Sequence, residues 1–390
     1  THVFDKGMLR QYDIRGVVGK SLKEDDCYFV GKSFGTVLAS RGLKTVVVGY
    51  DARESSQPFA DNLIKGLVES GLQVCNIGLV PSPVVYYVMN EHKFDASVVI
   101  TGSHSPLKYN GIKMCLLEDS FSGDDIKALA PIAESGDFVE GEGSVTEADY
   151  ADEYVDRILR DYNGKRDLKI AWDNGNGAAG AILRKLVAKM PGEHVVLFDE
   201  FDSNFPNHHP DPSVEENMQH LIAAVKENGC DIGIAFDGDA DRIGVVDEKG
   251  KIIWADLLLA LYAGTVLKEH KGAYVIGDVK CTRVLFDEVE RLGGKPIISE
   301  TGAAMIRPKM KKYNSPLSGE LSGHIMFADK YYGFDDGIYC GIRIADIISN
   351  SGEKMSELVA HFPSTIFTPE MRLEVEASRK FAIPQEIKQR

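Results

Sequence analysis

Short apolar runs alternate with amphipathic stretches along most of this chain. Residues 44–51 and 72–77 are rich in valine and isoleucine, which predicts buried β-strands. Between them, Phe59, Leu63 and Leu67 recur at the spacing of one helix face, and a glycine follows where that helix would end. Strand, helix and strand in this order predict βαβ units around a mostly parallel, buried sheet.

The same arrangement recurs three times. Predicted strands end in Asp51, Asp173 and Asp278, and a later segment of each unit leads to a polar loop, at residues 101–104, 237–242 and 318–324. In open α/β sheets, ligands bind beyond the carboxyl ends of the strands, so we expect these loops to face a shared cleft. The spacing of the three units is unequal, which leaves coincidental alternation as an alternative.

The composition is typical of a globular protein and argues against membrane-spanning and nucleic-acid-binding classes. Of 390 residues, 44% are hydrophobic and 26% are charged, as in ordinary globular proteins. No apolar stretch is as long as a membrane span, and no signal peptide is visible. The net charge of −15 argues against a nucleic-acid surface. The six cysteines contain no C-x-x-C pair, so we expect buried thiols in a reducing, cytoplasmic setting.

The loop 237–242 brings three carboxylates together directly after an apolar run. Asp237, Asp239 and Asp241 repel one another there, and a hard divalent cation such as Mg²⁺ or Ca²⁺ relieves that repulsion. An EF-hand begins similarly, but it needs glycine where Arg242 stands. Calcium buffering is therefore disfavoured, and a solvated acidic turn remains the plain alternative.

The loop 101–106 reads Thr-Gly-Ser-His-Ser-Pro and follows a predicted strand. A serine at a strand end, with a neighbouring histidine and Lys113 nearby, could be a nucleophile or a phosphate carrier. Ser105 stands where the hydrolase elbow G-x-S-x-G needs its second glycine, so that motif is absent. A turn built on hydroxyl residues and Pro106 is the structural alternative.

Several motifs in order resemble those of the α-D-phosphohexomutases, most of all the phosphomannomutase/phosphoglucomutase enzymes. The segments that carry the resemblance are the N-terminal signature at 12–16, the phosphoserine loop at 101–106, the segment 207–212, the metal loop at 237–242 and the sugar-reading loop at 319–324. The resemblance runs along the whole chain, and several motifs in order are more specific than any one of them.

The resemblance implies a phosphohexomutase reaction. Ser103 would carry a phosphate and give it to a hexose phosphate of mannose or glucose, forming a hexose 1,6-bisphosphate. The bisphosphate would reorient and return its other phosphate, so that the 1- and 6-phosphates interconvert. One Mg²⁺ per chain would bind Asp237, Asp239, Asp241 and an oxygen of phospho-Ser103. The expected partners are small hexose phosphates, with no nucleic acid or membrane, and the chain would be a monomer or homodimer.

The resemblance also implies roles for other residues. The expected catalytic residues are Ser103, Arg15, Lys113, His104 and Arg242. We favour Lys113 near the attacking hydroxyl, with a pKa lowered by a crowded cationic site, and a purely electrostatic role is equally open. His104 would orient the serine loop, and Arg242 would steer phosphate or brace the metal loop. The expected substrate-binding residues are Tyr12, Lys280, Thr301, Gly302, Glu320, Ser322 and His324. Ala303 stands where the family often has a histidine.

We therefore predict three tandem related α/β domains with mixed, mostly parallel sheets, and the start of a fourth α+β domain that is cut short. The expected bounds are 1–148 for the phosphoserine domain, 149–250 for the metal-binding domain, 251–364 for the sugar-binding domain and 365–390 for a fragment of a C-terminal phosphate-binding domain. A hairpin at 247–251 is expected to open the third domain. The alternatives are a phosphoglucosamine-type mutase, a truncated inactive fragment that binds sugar phosphate, and a metal-dependent phosphatase.

Overall fold

The structure, a computed structural model, describes residues 1–364, 375–376, 379 and 382–389. The predicted C-terminal fragment at 365–390 lies largely outside the described residues, and a helix at Ala382–Lys388 is its described element. No helix among the described residues is both long and apolar enough to cross a bilayer.

The first sheet lies within the N-terminal part of the chain. Its strands are β1 (Ile14–Val17), β2 (Thr45–Tyr50), β3 (Gln73–Leu79), β4 (Ala96–Ile100), β5 (Tyr109–Leu116) and β6 (Ser144–Glu147), in the spatial order β1-β5-β4-β2-β3-β6. The helices of this part are α1 (Glu24–Ser40), α2 (Ser56–Glu69), α3 (Ser82–His92), α4 (Asp124–Lys127) and α5 (Leu129–Ser135). Helix α2 packs on β2, β3 and β4 from one side, and α3 contacts β2 and β4.

The second and third sheets follow in order. The second has β7 (Lys169–Asp173), β8 (Glu193–Leu197), β9 (Ile232–Phe236), β10 (Ile243–Asp247) and β11 (Ile252–Ile253), in the spatial order β11-β10-β9-β7-β8. The third has β12 (Tyr274–Asp278), β13 (Lys295–Ser299), β14 (Leu317–Gly319) and β15 (Ile325–Phe327), in the order β13-β12-β14-β15. The remaining helices are α6 (Ala151–Leu159), α7 (Gly180–Lys189), α8 (Gln219–Asn228), α9 (Ala255–Glu269), α10 (Arg283–Arg291), α11 (Ala303–Tyr313), α12 (Gly337–Ser351), α13 (Met355–Leu358) and α14 (Ala382–Lys388), with a short 3-10 helix at Glu215–Met218.

One four-strand pattern is common to the three sheets. It reads β3-β2-β4-β5, β8-β7-β9-β10 and β13-β12-β14-β15, and in each case the first two pairings are parallel and the last is antiparallel. Strands β4 and β9 are buried along their whole length because helices cover both faces of their sheets. The prediction of three related α/β domains with mixed sheets is confirmed.

One detail differs from the sequence-based expectations. The hairpin at 247–251 joins β10 to β11, and β11 pairs with β10, so the hairpin extends the second sheet instead of opening the third domain. Strand β6, at Ser144–Glu147, likewise adds a parallel edge strand to the first sheet, within the residues expected for the first domain. Both segments form strands because each lies beside an edge strand with free backbone groups.

A hydrophobic core runs through all three domains. It includes Val84 and Val88 of α3, Trp172 of β7, Leu285 of α10 and Ile338 of α12. Helix α12 also packs against β9 and β10 of the second sheet. The carboxyl ends of the central strands, where the functional loops begin, are therefore held at defined positions around one cleft.

Candidate active site

A cleft of about 2210 Å³ lies between the three domains. The predicted residues that line it are Tyr12, Arg15, Ser103, His104, Lys113, Asp241, Arg242, Lys280, Thr301, Gly302, Glu320, Ser322 and His324. Asp237 and Asp239 are buried and reach the same place through bonds to Ser103 and Lys113. The structure thus brings together every site residue that the sequence predicts.

The serine loop follows β4 and places Ser103 in a strained backbone conformation. Ser103 has a φ of +49°, in the left-handed region that non-glycine residues seldom adopt. Its amide donates to Thr101 Oγ1 at 2.8 Å, and the Thr101 hydroxyl donates to Asp51 Oδ2 at 2.9 Å. These bonds stabilise the turn that directs the Ser103 hydroxyl away from its own sheet.

Arg53, which the sequence-based argument did not single out, binds the serine loop from behind. Its guanidinium donates to four carbonyl oxygens of the loop and the strand after it, those of Ser103 (2.9 Å), Ser105 (2.6 Å), Pro106 (3.1 Å) and Tyr109 (2.9 Å). Arg53 is 5% exposed, and Asp51 lies 3.4 Å from its Nε. A buried cation with this many acceptors fixes the loop, because it ties together carbonyls from four different residues.

The acidic loop of the second sheet meets the serine loop directly. Ser103 Oγ donates to Asp237 Oδ2 at 2.7 Å. A Cβ at Gly238 would lie 2.6 Å from the Ser103 carbonyl oxygen, so this close approach needs glycine. The two loops come from different domains and are in contact along their backbones.

The three aspartates fit a divalent cation. Oxygens of Asp237, Asp239 and Asp241 lie within 4.8 Å of one another. Asp239 Oδ1 and Asp241 Oδ1 are buried without a hydrogen-bond partner among the described residues, which is costly unless a cation binds them. Burial, and after it repulsion from the other two carboxylates, raises the pKa of Asp237 well above its usual range. An oxygen-binding cation would remove both penalties.

Lys113 lies among anions, which corrects the expectation of a lowered pKa. Its ammonium donates to Asp239 Oδ2 at 2.8 Å and to Asp241 Oδ2 at 2.6 Å. Burial alone would lower the pKa of Lys113, but the two carboxylates outweigh it and raise the pKa well above its usual range. Lys113 is therefore a cation in this structure. The surroundings that sequence reasoning took to be cationic are acidic.

Ser82, at the start of α3, holds one metal-loop carboxylate. Its hydroxyl donates to Asp239 Oδ2 at 2.5 Å, and its amide donates to the Asp239 carbonyl at 2.9 Å. Lys113 binds the same carboxylate oxygen, so the first domain occupies Oδ2 and leaves Oδ1 available. Orientation of a ligand by an outer partner is common at metal sites.

His104 bridges the serine loop to the segment 207–212. Its Nδ1 lies 3.1 Å from Asp211 Oδ2, and its carbonyl accepts from His209 Nε2 at 2.5 Å. Burial, with help from Arg242 and Arg15, lowers the pKa of His104 despite Asp211. A neutral imidazole that donates to Asp211 suits the orienting role expected for His104.

Arg15 contacts the serine loop on its other side. This residue of β1 donates to Ser105 Oγ at 2.5 Å and to Asp13 Oδ2 at 2.6 Å. Its guanidinium therefore lies beside the loop that carries Ser103, where a cation favours a phosphate group.

Arg242 and His324 join the acidic loop to the sugar-reading loop. Arg242 Nε donates to His324 Nε2 at 2.9 Å, and His324 Nδ1 lies 2.8 Å from Asp335 Oδ2. Asp335 also accepts from Arg307 of α11 at 2.5 Å. Arg307 in turn contacts Cys115 of β5 at 3.4 Å, so this chain of contacts links the third domain to the first.

Two loops of the third domain form the far wall of the cleft. Glu320 is 2% exposed, and its Oε1 accepts from the Gly302 amide at 2.5 Å. Tyr12 of the first domain donates to the Thr301 carbonyl at 3.1 Å. Ala303 begins α11 and also lines the cleft, in the place where a histidine was expected from the resemblance.

Protein-family comparisons agree with this architecture. Models described as phosphoglucomutase/phosphomannomutase alpha/beta/alpha domains I, II and III match residues 6–140, 150–250 and 254–365. The chain is 43% identical over 376 residues to a phosphomannomutase/phosphoglucomutase of Pseudomonas putida, covering 96% of this chain and 81% of that protein. It is 42% identical over 385 residues to a phosphoglucomutase of Neisseria gonorrhoeae, covering 98% and 84%.

Solved structures show the same fold. A crystal structure of a phosphoglucomutase/phosphomannomutase family protein from Burkholderia thailandensis superimposes with a TM-score of 0.90 at 40% identity, covering 94% of this chain and 82% of that chain. An N-acetylphosphoglucosamine mutase from Aspergillus fumigatus has a TM-score of 0.60 at 13% identity, which is evidence for the fold alone. The phosphoglucosamine-type alternative is not favoured, because the relatives that match most of this chain at 40% identity or more are named phosphomannomutase/phosphoglucomutase or phosphoglucomutase.

Proposed function

This chain belongs to the phosphoglucomutase/phosphomannomutase family of isomerases, and we propose that it interconverts the 1- and 6-phosphates of mannose and glucose through a phosphate on Ser103. The observation that carries the proposal is the 2.7 Å bond from Ser103 Oγ to Asp237. It places the Ser103 hydroxyl of the strained serine loop against the loop of three carboxylates, an arrangement that suits a metal-assisted phosphoryl carrier.

The chemistry consists of two phosphoryl transfers. In the first, a hydroxyl of the bound hexose phosphate attacks the phosphorus on Ser103, the bond from phosphorus to Ser103 Oγ breaks, and a hexose 1,6-bisphosphate forms. After the sugar turns over in the cleft, Ser103 Oγ attacks the other phosphate and the isomeric monophosphate leaves. Both transfers need alignment and charge neutralisation more than covalent help from the protein.

We propose that Asp237, Asp239, Asp241 and phospho-Ser103 hold one Mg²⁺. A bound Mg²⁺ would supply a Lewis acid for the phosphoryl oxygens. The protein's part is to offer the cation the two buried oxygens, Asp239 Oδ1 and Asp241 Oδ1, that accept no hydrogen bond from the described residues. Phosphorylation adds roughly −1.5 to −2 charges beside three carboxylates, so the phosphorylated site needs the cation more than the free site does.

The cations around the cleft have separate tasks. Lys113 stays protonated and neutralises the acidic loop, which favours the electrostatic role over the role of a base. Arg15 and Arg242 lie where they can receive phosphate oxygens. Glu320 and Ser322 are placed on the sugar side, where a carboxylate and a hydroxyl can bind paired sugar hydroxyls. We also propose a cytoplasmic location, which the unpaired state of all six cysteines supports.

The test is Ser103→Ala with Ser105→Ala as the matched control. Ser103→Ala should abolish mutase turnover and remove a stoichiometric phosphate from the intact mass of the purified protein. Ser105→Ala, which removes a hydroxyl from the same loop, should keep the phosphate. Full mutase turnover by Ser103→Ala would contradict the proposal. Release of free phosphate by the wild-type protein, without formation of the isomeric sugar phosphate, would identify a phosphatase. Parallel rates on the 1-phosphates of mannose, glucose and glucosamine would rank the sugars.

A further inference from the structure

Three buried aspartates occupy equivalent positions in the three sheets. Asp51 directly follows β2, whereas Asp173 and Asp278 end β7 and β12. Each of these strands lies at the centre of the shared four-strand pattern. Their exposures are 3%, 0% and 0%, so each carboxylate must find its partners inside the protein. The partners therefore show what each aspartate does.

Asp51 and Asp278 make corresponding contacts. Asp51 Oδ2 accepts from the Thr101 hydroxyl and the Gly102 amide, both at 2.9 Å, in the loop after β4. Asp278 Oδ1 accepts from the Leu321 amide at 3.1 Å, in the loop after β14. In both domains the aspartate of the central strand thus binds the functional loop of the neighbouring strand. Asp173 differs, because it binds the amide of Gly175 in the loop after its own strand and His208 of the segment 207–212.

Besides the Leu321 amide and the thiol of Cys281, Asp278 binds a second loop of the cleft. Its Oδ2 accepts from the Thr301 hydroxyl at 2.8 Å, in the loop after β13. One carboxylate therefore joins the two loops that form the sugar side of the cleft. The adjacent bond from the Gly302 amide to Glu320 Oε1 crosses between the same two loops, so the position of Glu320 depends on the spacing that Asp278 sets.

We propose that Asp278 is a positioning residue for sugar-phosphate binding. It holds the 301 and 320 loops at the separation that lets Glu320, Ser322 and Thr301 contact one sugar. The inference rests on the proposed function, because it names the residue that builds the sugar side of that site. Asp51 would play the corresponding part for the serine loop, so the two aspartates should affect different kinetic constants.

If Asp278 positions the two loops, the hydrogen-bonding shape of its side chain matters more than its charge. A variant that keeps the shape but loses the charge therefore distinguishes positioning from a direct electrostatic effect on the substrate. In Asp278→Asn, the amide oxygen can still accept from the Leu321 amide, and the amide nitrogen can donate to the Thr301 hydroxyl, which also accepts. In Asp278→Ala both loops lose their common partner. Asn should therefore rescue what Ala loses.

The experiment measures glucose 1-phosphate binding by calorimetry and mutase turnover on the purified full chain. Asp278→Ala should weaken binding and raise KM by about tenfold or more, since small misplacements can cost up to about 100-fold. Asp278→Asn should stay near wild type. Asp51→Ala should lower kcat with little change in KM. Wild-type KM in a folded Asp278→Ala protein, or an Asp278→Asn protein as impaired as Asp278→Ala, would overturn the inference.

Two outcomes need a second measurement: an Asp278→Ala protein that does not fold, and a wild-type chain that binds glucose 1-phosphate without turnover. If Asp278→Ala does not fold, Thr301→Val removes one of the two loop contacts at similar volume and should raise KM by a smaller factor. An unchanged KM in Thr301→Val would then overturn the inference. A wild-type chain that binds glucose 1-phosphate without turning it over contradicts the proposed function instead, and the binding comparison between the Asp278 variants still decides this proposal.

Discussion

Ser103 donates its hydroxyl proton to Asp237 across 2.7 Å, and this bond joins the serine loop of the first domain to the acidic loop of the second. Beside this bond, a Cβ added at Gly238 would lie only 2.6 Å from the Ser103 carbonyl oxygen. The loop proposed to carry the phosphate and the loop proposed to hold the cation are therefore in contact through both side chains and backbone. Any change in the separation of these two loops should therefore change the rate of phosphoryl transfer.

Gly238→Ala should separate these loops without removing a functional side chain. A methyl group there must displace the Ser103 backbone, so we expect turnover to fall by up to about 100-fold. The measurements are kcat and the phosphate content by intact mass. Gly264→Ala is the matched control, because a Cβ at that position in α9 meets nothing within 4 Å. Alanine should stabilise that helix by about 0.5–1 kcal/mol and leave kcat unchanged. Equal kcat in the two variants would contradict the expected role of the contact.

Ser82→Ala should weaken metal binding although Ser82 is not itself an expected ligand. The serine hydroxyl fixes Asp239 Oδ2 at 2.5 Å, and loss of such an outer partner typically costs about 10–100-fold in metal affinity. Calorimetric titration with Mg²⁺ measures the affinity directly. Ser97→Ala is the control, since the buried Ser97 hydroxyl in β4 has no hydrogen-bond partner among the described residues. Wild-type Mg²⁺ affinity in Ser82→Ala would show that the Ser82 hydroxyl does not orient Asp239 for the cation.

Arg53→Lys should destabilise the first domain. Lysine has a single ammonium and cannot reach the four carbonyls that the guanidinium binds. Each buried acceptor left without a partner costs about 1–3 kcal/mol, and we expect a total loss of that order because water can recover some bonds. Urea unfolding measures the loss. Arg41→Lys, at an exposed pair with Asp125, should change stability by about 0.5 kcal/mol or less. Similar losses in both variants would argue against a special role for Arg53.

The elements of the fold were predictable from sequence where hydrophobic pattern and turn residues agree. Strands β9 and β10 occupy the residues that the apolar runs on either side of the acidic loop predict. The partners of the site residues were not predictable, because they depend on how the domains pack. Lys113 and Asp239 are 126 residues apart, and Ser82 and Asp239 are 157 apart. The sequence shows that Lys113 is near a functional loop, but only the packing shows that its neighbours are carboxylates.

The His208–Asp173 pair should make stability depend on pH. His208 Nε2 lies 3.0 Å from Asp173 Oδ2; burial alone would lower the pKa of His208, but Asp173 outweighs it and the pKa is raised. Protonation therefore favours the folded state. This contribution is complete below the unfolded pKa of about 6.5 and is lost as the pH rises through the higher folded pKa. The Tm difference between wild type and His208→Gln should thus be larger at low pH than at high pH. In an Asp173→Asn background the Tm difference should no longer be larger at low pH, because the carboxylate that raises the pKa is gone and the remaining burial lowers it. With Asp173 present, a Tm difference between wild type and His208→Gln that grows as the pH rises would mean that His208 is held neutral in the folded protein.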